Sequence, residues 1–383
     1  MQFDLVNPTR IVFGSGKIAR LDDLVPASAR VLLFYGGGSI KRNGVYDQVT
    51  QALGTRIVAE FGGIEVNPHY ETILEACDVV RRNDIGLILS VGGGSVADAA
   101  KFLASAAMIT GADPWDELMA GRYPEKILPV GVVLTLPATG SESNAVSVIS
   151  HQGRRIKYPF ANEAARPRFA ILDPDTLVSL DRRQRANGAV DAVTHVLEQY
   201  LTVPANTPVQ YGYSESLLEV LFEWGPKFVQ DNSAEARENV MWAANQALNG
   251  LIGAGVRQDW STHYIGHAIT ALYDIDHARS LTLIMGSVQR FRLAAKTAML
   301  ARYGRRVWKI EEADDTIAAG LAIKRTEAFF REMGCPTRLS EVEGVAFSAD
   351  DIVAHLERAG QTRLGENEDI GPAEVRKILE LAA

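Results

Sequence analysis

Cysteine is almost missing: Cys77 and Cys335 are the only two in 383 residues, and they lie far apart. Two such residues build neither a disulfide framework nor a thiolate zinc site, and reduced thiols fit the cytoplasm. Long hydrophobic runs are missing too. No apolar stretch reaches ~18 residues without Gly, Pro or charge, and Met1-Gln2-Phe3-Asp4-Leu5 lacks a charged segment leading into an apolar one, so neither a membrane span nor a secretory leader is expected. Nor is positive charge in excess. With 39 Lys and Arg against 47 Asp and Glu, the net charge is −8 and no basic run offsets it, which disfavours a nucleic-acid partner. Low-complexity tracts and repeats of solenoid period are absent as well.

What is present is ordinary for a folded globular protein, with 47% apolar and 22% charged residues. The length favours two domains. In the first half, short apolar runs read as strands: Arg30 to Phe34, Arg56 to Ala59, Leu87 to Val91, Gly131 to Leu134 and Phe169 to Leu172. Amphipathic stretches such as Tyr70 to Asn83 and Val96 to Ala107 separate them, and this alternation predicts a mainly parallel sheet covered by helices. After about Leu180 the strand signals fade. Asp181 to Thr202, Val209 to Val229, Ala234 to Ala254 and Ile310 to Met333 carry helical spacing. The expected organisation is an α/β domain over residues 1–180 and an all-helical domain over residues 181–383, with the boundary near Asp173-Pro174-Asp175.

Four of the seven histidines, 195, 263, 267 and 277, fall within one stretch of the helical half. Asp191 and His195 stand four apart, one turn along one helix face. His263-x-x-x-His267 repeats that spacing on a second predicted helix, and His277 follows Asp274-Ile275-Asp276, which reads as a turn between helices. One carboxylate with three imidazoles, Asp191, His195, His263 and His277, suits zinc, iron or nickel better than calcium or magnesium. Any one of these imidazoles taken alone is more often a structural or surface group.

In the first half, Gly36-Gly37-Gly38-Ser39 and Gly92-Gly93-Gly94-Ser95 each follow a predicted strand. Glycines let the backbone approach a phosphate, and the N–H groups and positive end of a following helix stabilise its charge. The plain alternative is a tight turn needing glycine alone, but two such loops in one sheet favour a dinucleotide. Ser95 is expected as the N-cap of the second helix. Ser39, Lys41 and Arg42 close the first loop, and the nearest downstream acid is Asp47, which favours a 2′-phosphate over a free ribose hydroxyl and hence NADP(H). The G-x-G-x-x-A match at Gly14 to Ala19 lacks the acid expected about 20 residues on and is read as a simple turn.

Taken in order, several segments resemble the iron-containing alcohol dehydrogenase family, in its branch of NADPH-dependent aldehyde reductases and butanol dehydrogenases. They are Pro8 to Gly14, the two GGGS loops, Gly92 to Lys101, Thr135-Leu136-Pro137-Ala138-Thr139-Gly140-Ser141-Glu142-Ser143-Asn144, Asp191 to His195, His263 to His267, Asp276-His277, and Leu364-Gly365-Glu366-Asn367. The resemblance implies a dehydroquinate-synthase-like fold, a nucleotide domain followed by a helical metal domain, with catalysis in a cleft between them. It carries the metal onto Asp191, His195, His263 and His277. Cofactor contacts fall on the two loops, Asp98, Thr135, Thr139, Asn144 and Lys157. Met285-Gly286 and Tyr273 depart from residues common in relatives, and neither touches the ligand set.

The expected chemistry is hydride transfer from NADPH to small aldehydes, and from primary alcohols in reverse, at a divalent zinc or iron ion. His267, one turn beyond His263, is the proton-relay candidate, and Asp98 is the second catalytic candidate. A homodimer is expected from symmetry priors and the resemblance. Two alternatives stand beside this reading: a dehydroquinate-synthase-like lyase, and a silent NADPH-binding redox sensor.

Overall fold

The computed structural model describes residues 1–383. The chain divides into two compact units, Val6–Leu180 and a second made of Met1–Leu5 with Asp181–Ala383. The first five residues therefore belong with the helices, where the Gln210 side-chain amide meets the Met1 sulfur at 3.5 Å. No helix is long and apolar enough to cross a membrane.

The α/β unit is built on six strands: β1 (Arg10–Phe13), β2 (Val31–Tyr35), β3 (Ile57–Phe61), β4 (Leu87–Gly93), β5 (Val130–Leu136) and, later in the chain, β8 (Phe169–Leu172). All pair in parallel, in the order β1-β8-β5-β4-β2-β3. Val31, Leu32, Leu33 and Phe34 are each 0% exposed, because helices α1 (Leu21–Leu24), α2 (Val45–Leu53), α3 (Tyr70–Arg82), α4 (Gly94–Ala106) and α5 (Pro114–Met119) leave neither face of the sheet to water. Topology then creates a binding position. From β2 the chain continues to β3 on one side, while from β4 it continues to β5 on the other, so the order reverses between β2 and β4. Ligands of open α/β sheets bind at the carboxyl ends of the strands where this reversal occurs.

Residues 146–161 form an unexpected antiparallel pair, β6 (Val146–His151) and β7 (Ile156–Ala161). No buried apolar run announces it. Serines interrupt β6, Lys157 and Pro159 interrupt β7, and pairing across the turn at Arg155, whose φ is +54°, decides the structure.

The second unit is all helix: α6 (Arg182–Tyr200), α7 (Pro208–Gln230), α8 (Ala234–Ala247), α9 (Ser261–Tyr273), α10 (His277–Phe291), α11 (Leu293–Arg306), α12 (Asp315–Glu332), α13 (Ala349–Arg358) and α14 (Pro372–Ala382). The Asp181 carboxylate starts α6 by accepting the Gln184 N–H at 2.8 Å. Helix α8 stops seven residues before the expected Ala254. Gly250 and Gly255, with φ of +99° and +73°, turn the chain there, and helical propensity cannot override that geometry. Ile265, Ile269, Leu283, Ile284, Ile352, Leu356 and Ile378 knit α9, α10, α13 and α14 into one core, so the helices that carry the histidines are held from behind by apolar packing.

Candidate functional site

The fold brings the predicted metal ligands together inside the helical unit. Asp191 and His195 lie on one face of α6, and His263 and His267 lie on α9. His277 is the first residue of α10, just past the turn at 274–276. One donor atom from each of Asp191, His195 and His263 falls within 4.8 Å of the others, and all three residues are buried. The distance from Asp191 Oδ1 is 3.7 Å to His195 Nδ1 and 3.8 Å to His277 Nε2. A tetrahedral ion with arms of ~2.1 Å needs donors roughly 3.4 Å apart, so the set fits a divalent ion with only small adjustments. His277 is the most open of the four, its side chain 22% exposed against 4% for Asp191. The His267 ring centre lies 5.0 Å from that of His277 and 6.1 Å from that of His263, which keeps it in the same imidazole cluster.

Two neighbours escaped the sequence reading. Glu198 is three residues beyond His195 on α6, and its Oε2 meets His263 Nδ1 directly. Its pKa is raised well above the ordinary carboxylate value, first by burial and then by the charge of Asp259. Trp260 sits just before α9 with φ +62°, a left-handed conformation unfavourable for a bulky side chain. Its ring packs 5.1 Å from that of His263 and 6.1 Å from that of His195, and so walls one side of the cluster. The spacing of Asp191, His195 and Glu198 along one helix face was the available signal for Glu198. For Trp260, no local signal existed.

Leu364 to Asn367 also acquires a structural meaning. Lys296 bonds Asp259 and lies 3.1 Å from Glu366 Oε1, while Arg292 reaches Glu366 Oε2 at 3.8 Å and Asp369 at 2.8 Å. Burial pushes Asp259 up, but the Lys296 ammonium and the Ser261 hydroxyl outweigh it and hold this acid below the usual range. Glu366 is raised, by burial and then by Asp259.

In the α/β unit, the loops after β2 and β5 lie at the carboxyl ends of strands adjacent to β4, while the second GGGS run is not a loop, since Gly92 and Gly93 end β4 and Gly94 and Ser95 begin α4. Gly36 to Ser39 and Gly92 to Ser95 flank the β2/β4 reversal. Their glycines serve different purposes. A side chain on Gly92 would collide with Val96, and one on Gly94 with Thr139, so both permit close packing. Gly37 is exposed, does not appear among the glycines of positive φ, and has nothing within 4 Å of where a Cβ would sit. Neither packing nor backbone strain explains glycine there, and the open space would admit a closely approaching ligand.

Two local expectations need correction. Ser95 does not cap α4. The helix starts at Gly94 after Gly93 in extended conformation, and the Ser95 hydroxyl turns aside to donate to the Val66 carbonyl. The first loop runs into a single turn of 3₁₀ helix at Ser39–Lys41, and α2 begins only at Val45, because Gly44 at φ +81° breaks the path between them. The premise of an acid-free first loop also changes, since Lys41 Nζ lies 3.4 Å from Glu60 on β3 and 4.7 Å from the Tyr46 ring centre. Glu60 is close in space but distant in sequence.

The remaining candidates cluster behind the loops. Asp98 accepts from the Ser141 hydroxyl and from the Val148 N–H at 3.0 Å, so its two oxygens order the 139–148 segment. Asn144 accepts from the Val146 N–H and from Lys101 Nζ, each at 3.0 Å, and its amide donates to Thr139 O at 3.2 Å. Lys101 is buried, and burial lowers its pKa to about 8 despite Asp98. Thr135, at the end of β5, is 9% exposed, and Lys157 on β7 donates to Asn67 Oδ1 at 2.9 Å. Cys77 and Cys335 are both buried, which pushes their thiols up to about 12 and about 11.

Comparison with known proteins agrees with this geometry. Residues 8–174 match the model of the iron-containing alcohol dehydrogenases, and residues 185–382 match that of the C-terminal part of the Fe-containing alcohol dehydrogenase family. The chain belongs to the iron-containing alcohol dehydrogenase family. It is 46% identical over 383 residues to the NADPH-dependent aldehyde reductase YqhD of Escherichia coli, covering 99% of both chains. It is 38% identical to the probable NADH-dependent butanol dehydrogenase 1 of Bacillus subtilis, over 99% of this chain and 98% of that one. The crystal structure of YqhD superposes with a TM-score of 0.96 over 100% of this chain and 99% of the other. That of NADH-dependent butanol dehydrogenase A from Thermotoga maritima, 33% identical, gives 0.93 over 100% and 98%.

Proposed function

We propose that this protein is an NADP(H)-linked, metal-dependent oxidoreductase that interconverts small aldehydes and primary alcohols, with aldehyde reduction favoured. The observation that carries the reading is the buried convergence of Asp191, His195 and His263, with His277 Nε2 3.8 Å from Asp191. Asp191, His195, His263 and His277 would hold the ion. When bound, a divalent ion with one carboxylate ligand supplies Lewis acidity to a carbonyl oxygen, and the reduced nicotinamide supplies the hydride. Zinc and iron both accept this donor set.

The chain's own groups do the rest. Main-chain N–H groups of Gly36 to Ser39 and Gly92 to Ser95 bind the pyrophosphate, helped by the N-terminal end of α4. Thr135, Thr139, Asn144 and Lys157 line the cofactor position, and Asp98 braces their segment. His267 holds a proton on a ring nitrogen for the nascent alcohol oxygen. Lys41 would supply positive charge to an adenosine 2′-phosphate, and Glu60 beside it would moderate that preference. The named relatives differ in cofactor, NADPH for YqhD and NADH for the two butanol dehydrogenases. A cytoplasmic homodimer belongs to the same proposal. Neither the lyase nor the silent sensor draws support from these relatives, all of which are oxidoreductases by name.

The test is metal analysis of the purified protein, followed by NADPH and NADH oxidation with a panel of aldehydes before and after chelation. About one ion per chain and metal-dependent turnover with NADPH are expected. Turnover undiminished after complete chelation, or none after reconstitution with zinc and iron, overturns the proposal.

A further inference from the structure

The start of α9 is held by a residue from another helix. The first four N–H groups of a helix have no partner inside it. Here the Ser261 N–H goes to Asp259 Oδ1 at 3.0 Å, and the helix's own ladder begins only with the Tyr264 N–H, which bonds Trp260 O at 3.1 Å. The two between them go to one carboxylate on α6: Thr262 N–H to Glu198 Oε1 at 2.6 Å and His263 N–H to Glu198 Oε2 at 3.2 Å. The main-chain carbonyl of Glu198 also accepts the Asp259 N–H at 3.0 Å. Glu198 thus joins the helix bearing Asp191 and His195 to the helix bearing His263, and it touches the His263 ring at Nδ1 as well.

Behind it lies a charge imbalance. Glu198, Asp259 and Glu366 are at most 6% exposed, as against two buried cations, Lys296 at 3% and Arg292 at 7%. A surplus buried acid either stays protonated or needs positive charge nearby. Of these three acids, Glu198 is the one whose carboxyl group touches a histidine of the metal cluster, at His263 Nδ1.

We propose that Glu198 is the positioning residue of the metal centre. By accepting Nδ1–H of His263 it leaves the lone pair on Nε2 and fixes the ring's direction, and by capping α9 it makes ion binding and the docking of α9 on α6 one coupled event. The proposal rests on the reading of Asp191, His195, His263 and His277 as ligands. Carboxylates that orient a ligating imidazole typically contribute 10- to 100-fold in metal affinity.

The experiment measures Zn²⁺ affinity by competition with a chromophoric chelator, alongside the melting temperature of the metal-free and metal-loaded protein, for wild type, D191N, E198Q and E198D. Glu198→Gln should weaken Zn²⁺ binding by about 10- to 100-fold and shrink the rise in melting temperature that the metal produces, and Glu198→Asp should lie between it and wild type. A merely structural cap would lower the metal-free melting temperature and leave Zn²⁺ affinity unchanged; that result overturns the proposal. Should E198Q not fold, unchanged affinity in E198D overturns it equally. Failure of the underlying reading looks different, for then wild type itself binds no stoichiometric ion, or D191N binds as wild type does.

Discussion

In the α/β unit, the groups proposed to hold the pyrophosphate are main chain. In the helical unit, those proposed to hold the ion are side chains. A phosphate cradle needs exposed N–H groups at a strand end, so a short glycine run in local sequence specifies most of it. A metal centre needs donors aimed at one point, and here they come from α6, α9 and the first residue of α10, separated by as many as 86 positions from Asp191 to His277. The difference shows in how each half responds to change. Backbone cradles fail by steric filling, whereas side-chain centres fail by loss of one donor.

The largest expected effect separates the halves outright. Asp191→Asn should lower aldehyde turnover by about three orders of magnitude, the scale of losing an electrophilic ion, while the NADPH dissociation constant stays within about twofold. Metal analysis and cofactor fluorescence check both. A matching loss of NADPH binding would show that the two halves are not independent.

Acid should also find the helical half first. His355 on α13 is 1% exposed, and burial, with the nearby Arg358 charge, lowers its pKa from 6.5 to about 4. Its folded-state pKa is depressed, so the stability linked to its neutral form is complete above pH 6.5 and is lost as pH falls towards 4. That gap corresponds to about 3 kcal/mol as an order of magnitude. Denaturant melts between pH 7 and 4 should show this loss in wild type and a flatter profile in His355→Phe. Parallel slopes in the two proteins would remove His355 as the cause.

Within the cradle, Gly94→Ala should destabilise by about 1–3 kcal/mol, because its methyl meets Thr139, and should weaken NADPH binding with metal content unchanged. Gly37→Ala sharpens the contrast. It should leave the melting temperature where it is and weaken only NADPH binding, and unaltered affinity would refute a close cofactor approach at that loop. The smallest effect expected is at Glu60. Removing its charge with Glu60→Gln should raise the NADPH to NADH ratio of kcat/KM by roughly fivefold or less, because exposed charge pairs are worth about 1 kcal/mol at most. A fall in that ratio would reverse the role given to Lys41.

Legibility follows the same division. The i, i+4 pair Asp191 and His195 and the strand-end GGGS runs are local patterns, and both appear in the structure on the predicted elements. Glu198 was hidden because an acid on a helix face is usually solvated, and only the approach of α9 shows that it is not. Glu60 was hidden because its nearness to Lys41 arises from pairing of β3 with β2. Ser95 was misread because Gly93 already holds the extended position that starts α4, which places Ser95 inside the first turn and not at its cap.

By itself the sequence determined the alternation of buried strands and amphipathic helices, the change to all-helix near residue 180, and the residue types suited to an ion and a phosphate. Periodicity and donor chemistry are properties of short segments. The tertiary structure alone decided that the strand order reverses between the two glycine runs, that one carboxylate on α6 caps α9 and grips His263, and that Asp259, Lys296 and Glu366 meet in a buried cluster. Those are meetings of segments far apart in the chain, and they exist only once packing has excluded water and brought the elements together.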